Sequence, residues 1–361
     1  MTDLEILHQH MRLYPEMEIQ DGVKLLYQKY LGTGHMAPSF EAVTDRLSNE
    51  REGLRYVDGK ELFEPIGNGR YRLHLNAKAA KDFSNNTLAQ LFLLEAKEKE
   101  EITLFEETLV RWMVWVEKKE LSFSLEESKH FLEDYQQRGY PPIGHSEKYR
   151  NAYMPAYRVV GWQGAFYQEI LLYLEEALKG ATVGKPMILA IDGRSGSGKS
   201  HLGAWLHRIY PQSVLLKMDD FFLPQKKKTV ERLATPGGNV DYERVADSLL
   251  SLVSKGETAF YQPFNCHTQK QEEGRVLPAS SFYIVEGSYS LHPSLQPYYQ
   301  GSVFLTIPPE MQKQRILTRN GEKMLPLFLN EWIPLEEHYF SALNIPGKAR
   351  FLYDTSKIYQ G

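Results

Sequence analysis

Residues 187–206 read MILAIDGRSGSGKSHLGAWL. Within them Gly193, Gly198, Lys199 and Ser200 meet the spacing G-x-x-x-x-G-K-[ST] of a phosphate-binding loop. The flanks are those the motif needs. Met187 to Ile191 is a short apolar run of buried-strand type, and His201 to Ile209 continues as an amphipathic helix. Gly193, Gly196 and Gly198 allow a tight turn whose N–H groups converge on an anion, and the helix N-terminus adds partial positive charge at the same spot. The run Gly193, Arg194, Ser195, Gly196, Ser197, Gly198, Lys199, Ser200 and His201 is therefore the expected cradle for a polyphosphate. In it Lys199 reaches the β- and γ-phosphates and Ser200 binds Mg²⁺. The competing reading is a Gly/Ser-rich turn that happens to contain Gly-Lys-Ser.

Working outward, the order after residue 185 is strand, helix, strand, helix. The apolar runs Met187–Ile191, Val214–Met218, Phe282–Val285, Val303–Ile307 and Arg350–Tyr353 are short and bounded by turn residues. Such alternation predicts an α/β fold of the P-loop NTPase kind, a parallel sheet flanked by helices, with ligands at the carboxyl ends of the strands. Residues 1–140 differ. They read as a mostly helical domain of unassigned role, in which Ile102, Phe105, Leu109, Met113 and Val116 recur on one helical face. Glu64 to Gly69 reads as a turn and Tyr71 to Leu75 as a short strand, while Glu95–Glu101 reads as a solvated charged face. Residues 141–184 are assigned to a linker and a lead-in helix, Trp162 to Leu178, and 185–361 to the phosphate-binding domain.

Composition narrows the partners. The chain has 361 residues and a formal net charge of −4, with Lys226–Lys228 as its basic triplet, so nucleic acid is not the expected partner. One cysteine, Cys266, excludes an intrachain disulfide and is read as a small packing residue. The first residues lack a signal-peptide pattern and no apolar stretch reaches membrane-spanning length, so a cytoplasmic protein without a membrane partner is expected. His8, His10 and His35 lack a zinc-binding spacing.

Several strand ends carry charged groups. Asp219 and Asp220 follow Val214–Met218; a carboxylate there accepts the proton of an attacking hydroxyl or holds Mg²⁺, and the plainer reading is a cap or loop pair. Glu286 closes Phe282–Val285, where an acid orients the water shell of Mg²⁺. Arg315 and Arg319, with Gln314 and Lys323, lie on a predicted helix; they close over the transferring group or simply form a solvated basic face. His267 is either a structural hydrogen bonder or an acceptor contact.

The blocks GRSGSGKS, MDDFF, PGGNVDYERV, PFNCHTQKQEEGRV, YIVEGSYSL and QRILTRN come in an order that resembles the uridine kinase and phosphoribulokinase family of P-loop kinases, over roughly residues 185–361. The resemblance implies a nucleoside-monophosphate-kinase-like core, ATP with Mg²⁺, and transfer to a hydroxyl of a small-molecule acceptor. By it Asp219 is the general base, Glu286 the Mg²⁺-side acid, Arg315 and Arg319 the lid arginines, and His267 the pyrimidine contact, with Asp220 and Asp241 on the substrate side. The chain departs from the family where Thr235-Pro236-Gly237-Gly238-Asn239 replaces an Asp-His-Pro, where Gln262 stands in place of a tyrosine, and in Gly321-Glu322-Lys323 of the lid. Phosphate machinery is kept while ribose and base contacts are not. Uridine or cytidine is the first acceptor to consider. The alternatives are a kinase for pantothenate, glycerate or another nucleoside, and a nucleotide-dependent switch without acceptor chemistry. For the first domain, homodimer formation, regulation and a share in the acceptor site all stay open.

Overall fold

The computed structural model describes all residues except 97–100, 267, 360 and 361. The chain divides into two units, Met1–Leu172 and the chain from Tyr173 onward. Among the described residues no helix is long and apolar enough to cross a membrane.

The first unit packs helices around a three-stranded antiparallel sheet. Strands β1 (Phe63–Gly67), β2 (Arg70–His74) and β3 (Tyr157–Gly161) lie in sequence order, with Gly67 opposite Arg70 and Arg70 opposite Gly161. Asn68 and Gly69, at φ 53° and 70°, make the two-residue turn between β1 and β2, as a hairpin with the right-handed twist requires. β3 comes from the stretch assigned to a linker, and the division between units falls inside the helix Gln168–Lys179. That lead-in stretch forms two helices, Trp162–Phe166 and Gln168–Lys179, not one. The helix Ile102–Glu117 buries Phe105, Leu109, Trp112 and Val116. Ile102 stays 44 % exposed, so the apolar face centres on Trp112 instead of running through Ile102. Gly22 on the helix Ile19–Leu31 admits that indole: a Cβ there would stand 2.5 Å from the Trp112 ring.

The second unit is built on a five-stranded parallel sheet. Its strands are β4 (Met187–Gly193), β5 (Val214–Lys217), β6 (Phe282–Glu286), β7 (Gly301–Thr306) and β8 (Phe351–Asp354), in the order β8-β7-β4-β6-β5. All four pairings are parallel. β4 and β6 are buried along their whole length, which is why they read as continuous apolar runs. The register sets Glu286 beside both Ile191 and Lys217, so three strands end together at one edge of the sheet. The helix Lys199–Ile209 leaves β4 there and lies against the sheet. Gly203 permits that approach, since a Cβ on it would come within 3.1 Å of the Glu286 side chain.

Candidate active site

The loop after β4 is shaped by its glycines. Gly193 sits at φ 144°, and a Cβ there would fall 2.1 Å from the Leu305 carbonyl oxygen. Gly196 and Gly198 follow at φ 76° and 96°. The helix begins at Lys199 with Gly198 as its N-cap, so its first amides have no acceptor within the helix and point into the loop. Together with the helix dipole they form an anion nest. Lys199 is buried and its Nζ donates to the carbonyls of Gly193 (2.7 Å) and Arg194 (3.1 Å). The Ser197 hydroxyl is buried without a hydrogen-bond partner among the described residues.

Acids ring this nest. Ser200 Oγ donates to Glu286 Oε2 at 3.0 Å. Burial pushes the Glu286 carboxyl up, and the neighbouring Asp219 charge pushes the same way, against Ser200 and Lys199. Asp219 itself is exposed, and among the described residues no side-chain hydrogen bond engages it. Asp220 is held: Tyr261 Oη donates to its carboxylate, and Arg244 donates to its main-chain oxygen at 3.2 Å. The two aspartates, equivalent in the sequence, are thus separated by their partners, and Asp219 is the one left available.

Asp192, the last acid before the glycines, is fully buried. It accepts from the amides of Gly193 (2.7 Å), Tyr289 (3.2 Å) and Leu291 (2.9 Å) and from Tyr339 Oη (2.9 Å). Burial lifts its pKa to about 6 despite those bonds. Glu336, 3 % exposed, accepts from the Ser195 amide (2.9 Å), Ser195 Oγ (2.7 Å) and Ser288 Oγ (2.6 Å). Its neighbour Glu337 takes a two-pronged bond from Arg194 at 2.6 and 2.9 Å. A helix more than a hundred residues downstream thereby holds the phosphate loop from behind.

A parallel sheet with a glycine nest between its central strand and the following helix defines the fold class. The second unit is an α/β domain of the P-loop NTPase class. No family model matches the chain. Among solved structures it is similar to a protein described as a possible uridine kinase from Bacillus stearothermophilus. The identity is 18 %, over 52 % of this chain and 98 % of that one, with a TM-score of 0.39. It is also similar to a protein named as a fructose transport system kinase from Silicibacter sp., with 21 % identity, 53 % and 98 % coverage and a TM-score of 0.42. A third is the D-glycerate 3-kinase of Cryptococcus neoformans, with 14 % identity, 55 % and 98 % coverage and a TM-score of 0.38.

The remaining expected residues separate into those at the nest and those away from it. Arg315, on the helix Pro309–Asn320, donates to the Gly196 carbonyl at 3.2 Å and to Thr355 Oγ1 and O at 3.2 and 3.1 Å, so it braces the loop. Arg319 is exposed, bonded to Asn320 at 2.7 Å and set over the Phe328 ring, with no bond to the loop among those described. His201 is exposed on the first helical turn. Asp241, which the resemblance puts on the substrate side, caps the helix Tyr242–Val245 by accepting from the Arg244 amide at 3.2 Å. His267 lies outside the described residues. Cys266 is exposed, contrary to its reading as a packing residue, because it follows the short strand Phe264–Asn265 in the connection to its partner Lys270–Gln271. Its thiol pKa is nonetheless raised, first by partial desolvation and then by Asp219 and Asp220.

Sequence reasoning missed Asp192, Glu336, Glu337, Ser288 and His292. Asp192 had a signal, an acid closing an apolar strand just before the glycines. His292 had only its place in the block YIVEGSYSL and the residues after it. It stacks on Tyr242 at 3.8 Å, burial drops its pKa to about 4, and it pins the segment Thr235–Tyr242.

Proposed function

We propose that the second unit is an ATP-dependent kinase that transfers the γ-phosphoryl group to a hydroxyl of a small molecule, with the 5′-hydroxyl of uridine or cytidine the first acceptor to test. The observation that carries this reading is the meeting of the Ser200 hydroxyl with Glu286 at 3.0 Å beside the glycine nest, with Asp219 next to them and, among the described residues, without a side-chain hydrogen bond. An acid at this edge with a free carboxylate is what transfer to a hydroxyl asks of a general base.

The residues fit the groups they would hold. The nest and Lys199 offer donors to a triphosphate, and the two carbonyls now held by Lys199 are internal stand-ins for phosphate oxygens. A hydroxyl and a carboxylate from Ser200 and Glu286 are hard oxygen donors of the kind Mg²⁺ takes, with phosphate oxygens and water completing the set. Among the described residues no three acidic, histidine or cysteine groups converge as a metal cage of their own. Mg²⁺, when bound, supplies charge neutralisation at the phosphates.

In the proposed reaction the acceptor oxygen forms its bond to the γ-phosphorus as the bond from that phosphorus to the β–γ bridging oxygen breaks. The hydroxyl proton passes to Asp219 and ADP departs. Arg315 keeps the loop in shape, and Arg319 reaches the transferring group only if the end of its helix moves. Most of the acceleration comes from positioning and electrostatics.

The test is ADP formation over a panel of uridine, cytidine, glycerate and pantothenate, with wild type and Asp219→Asn. Acceptor-dependent ADP release is expected, and Asp219→Asn should lower kcat by about 10²–10⁴ while ATP still binds. Turnover unchanged in Asp219→Asn removes the assigned base. ATP binding without stimulation by any hydroxyl compound favours the switch.

A further inference from the structure

The first unit contains a buried polar network that the phosphate site does not use. Arg72, on β2 and 2 % exposed, donates to Gln28 Oε1 at 3.0 and 3.2 Å and to Glu64 at 3.3 Å, and lies 4.6 Å over the Tyr157 ring. Gln28 Nε2 donates to Tyr157 Oη at 3.1 Å. That hydroxyl is 2.6 Å from His145 Nε2, and His145 Nδ1 is 2.7 Å from Asp21. Taking so many ionisable groups out of water is expensive compared with an apolar core of the same volume. Buried, perturbed groups of this kind concentrate where a ligand is handled.

The network ends at a cleft. Gln28 lines a cleft of about 250 Å³ together with Lys24 and Thr33, while Tyr27, Met36 and Ile143 give it apolar walls. Two polar groups there are short of partners. Thr33 is 4 % exposed, and its buried Oγ1 has no hydrogen bond among the described residues. Lys24 Nζ donates to the Ile143 carbonyl at 2.8 Å and, among the described residues, makes no ion pair. An ammonium has three donors, so two remain. The charges facing Lys24 are Asp21 on its own helix, which favours the ammonium, and Arg72 and Arg150, which oppose it; His145 feels its charge in turn. Burial, stronger than any of those charges, draws the Lys24 pKa down to about 8. A half-sunken ammonium with two donors to spare, in one cleft with an unsatisfied hydroxyl and apolar walls, offers what an anion with an apolar body needs.

We propose that this cleft binds a small organic anion, its carboxylate or phosphate group taken by Lys24 and Thr33 and its apolar body lying against Tyr27, Met36 and Ile143. The cleft is built from residues of the first unit, and the proposal does not depend on the kinase reading.

Calorimetry on the full-length chain tests it, with benzoate and phenyl phosphate as anionic probes and benzamide as their neutral counterpart. The measurements are made in wild type and in a Lys199→Ala background, which removes anion binding at the glycine loop. Binding of one or both anions but not of benzamide is expected, and which anion binds tells carboxylate from phosphate. Lys24→Met should weaken binding about tenfold or more, since a hydrogen bond to a charged group is lost. Thr33→Val should weaken it several-fold, and Lys24→Arg should retain it, which guards against a Lys24→Met chain that fails to fold. The proposal is overturned by benzamide binding as well as benzoate, by anion affinity unchanged in both Lys24→Met and Thr33→Val, or by no binding of either anion.

Discussion

At the scale of single residues, the phosphate loop depends on positions where no side chain fits. Gly193 combines φ 144° with a Cβ position 2.1 Å from the Leu305 oxygen, which is backbone and cannot swing aside. Gly193→Ala therefore has to separate β4 from β7 or distort the loop. The expected cost is at least about 3 kcal/mol, the sum of a forbidden backbone conformation and an overpacked contact. Urea unfolding would measure it, and ATP titration should show affinity falling in parallel. Stability within about 0.5 kcal/mol of wild type would mean that the loop tolerates a conformation other than the one described.

At the scale of elements, one helix controls the loop. Ile333–Leu343 turns Glu336, Tyr339 and Phe340 inward at spacings of three and four residues. Tyr339 bonds Asp192 at 2.9 Å, and Glu336 bonds Ser195 and Ser288. The adjacent glutamates should nevertheless differ sharply in worth. Glu336→Ala leaves the buried Ser288 hydroxyl and the two partly buried donors of Ser195 unpaired, a cost of about 2–4 kcal/mol. Glu337 is 42 % exposed, and its pair with Arg194 is screened, so Glu337→Ala should cost under about 1 kcal/mol. Denaturant titration gives both values, and amide exchange across 193–198 should rise in the first variant only. Equal losses would contradict the burial argument.

The parallel sheet and its strand-end acids were legible because each strand is a short apolar run closed by a turn, and because the glycine spacing has a physical cause. Glu286 and Asp219 could be placed from that alone. Glu336 could not, since nothing local in Pro334-Leu335-Glu336-Glu337 tells which glutamate turns inward. Only the tertiary course of the helix decides that. The same limit applied to Asp219 against Asp220, which Tyr261 and Arg244 separate from outside their own segment. In the first unit periodicity gave helix Ile102–Glu117 and the buried Phe105, Leu109 and Val116, but included Ile102 and passed over Trp112, for which Gly22 leaves the room. The contribution of Tyr157–Gly161 to the first sheet was invisible, as its partner strand lies more than eighty residues away.

At the scale of the whole molecule, the two units should respond differently to acid. In the first, burial drops the pKa of His10 and of His145 from 6.5 to about 4. Between those values the unfolded chain binds protons that the folded one refuses, so folded stability falls as pH falls through that window. Each group contributes at most about 1.4 kcal/mol per pH unit, so the two together approach about 3. Below that window the depressed carboxyls of Glu64, Asp3 and Asp21 continue the loss, because their stabilising ionised forms must be protonated. In the second unit His292 behaves like the other two, with a pKa of about 4. Asp192 opposes it. Its pKa is raised from 3.8 to about 6, so the folded form takes up a proton that the unfolded chain does not, and stability is gained as pH falls across that interval. Glu286, also raised by burial, adds in the same direction. The expected outcome is that acidification from about pH 6.5 to 4 weakens the first unit while leaving the second nearly level. Peptide-resolved pulsed hydrogen exchange over that range should show β1 to β3 losing protection before β4 and β6. Simultaneous loss in both sheets, or earlier loss at β4, would mean that the buried histidines of the first unit are not what sets its acid limit.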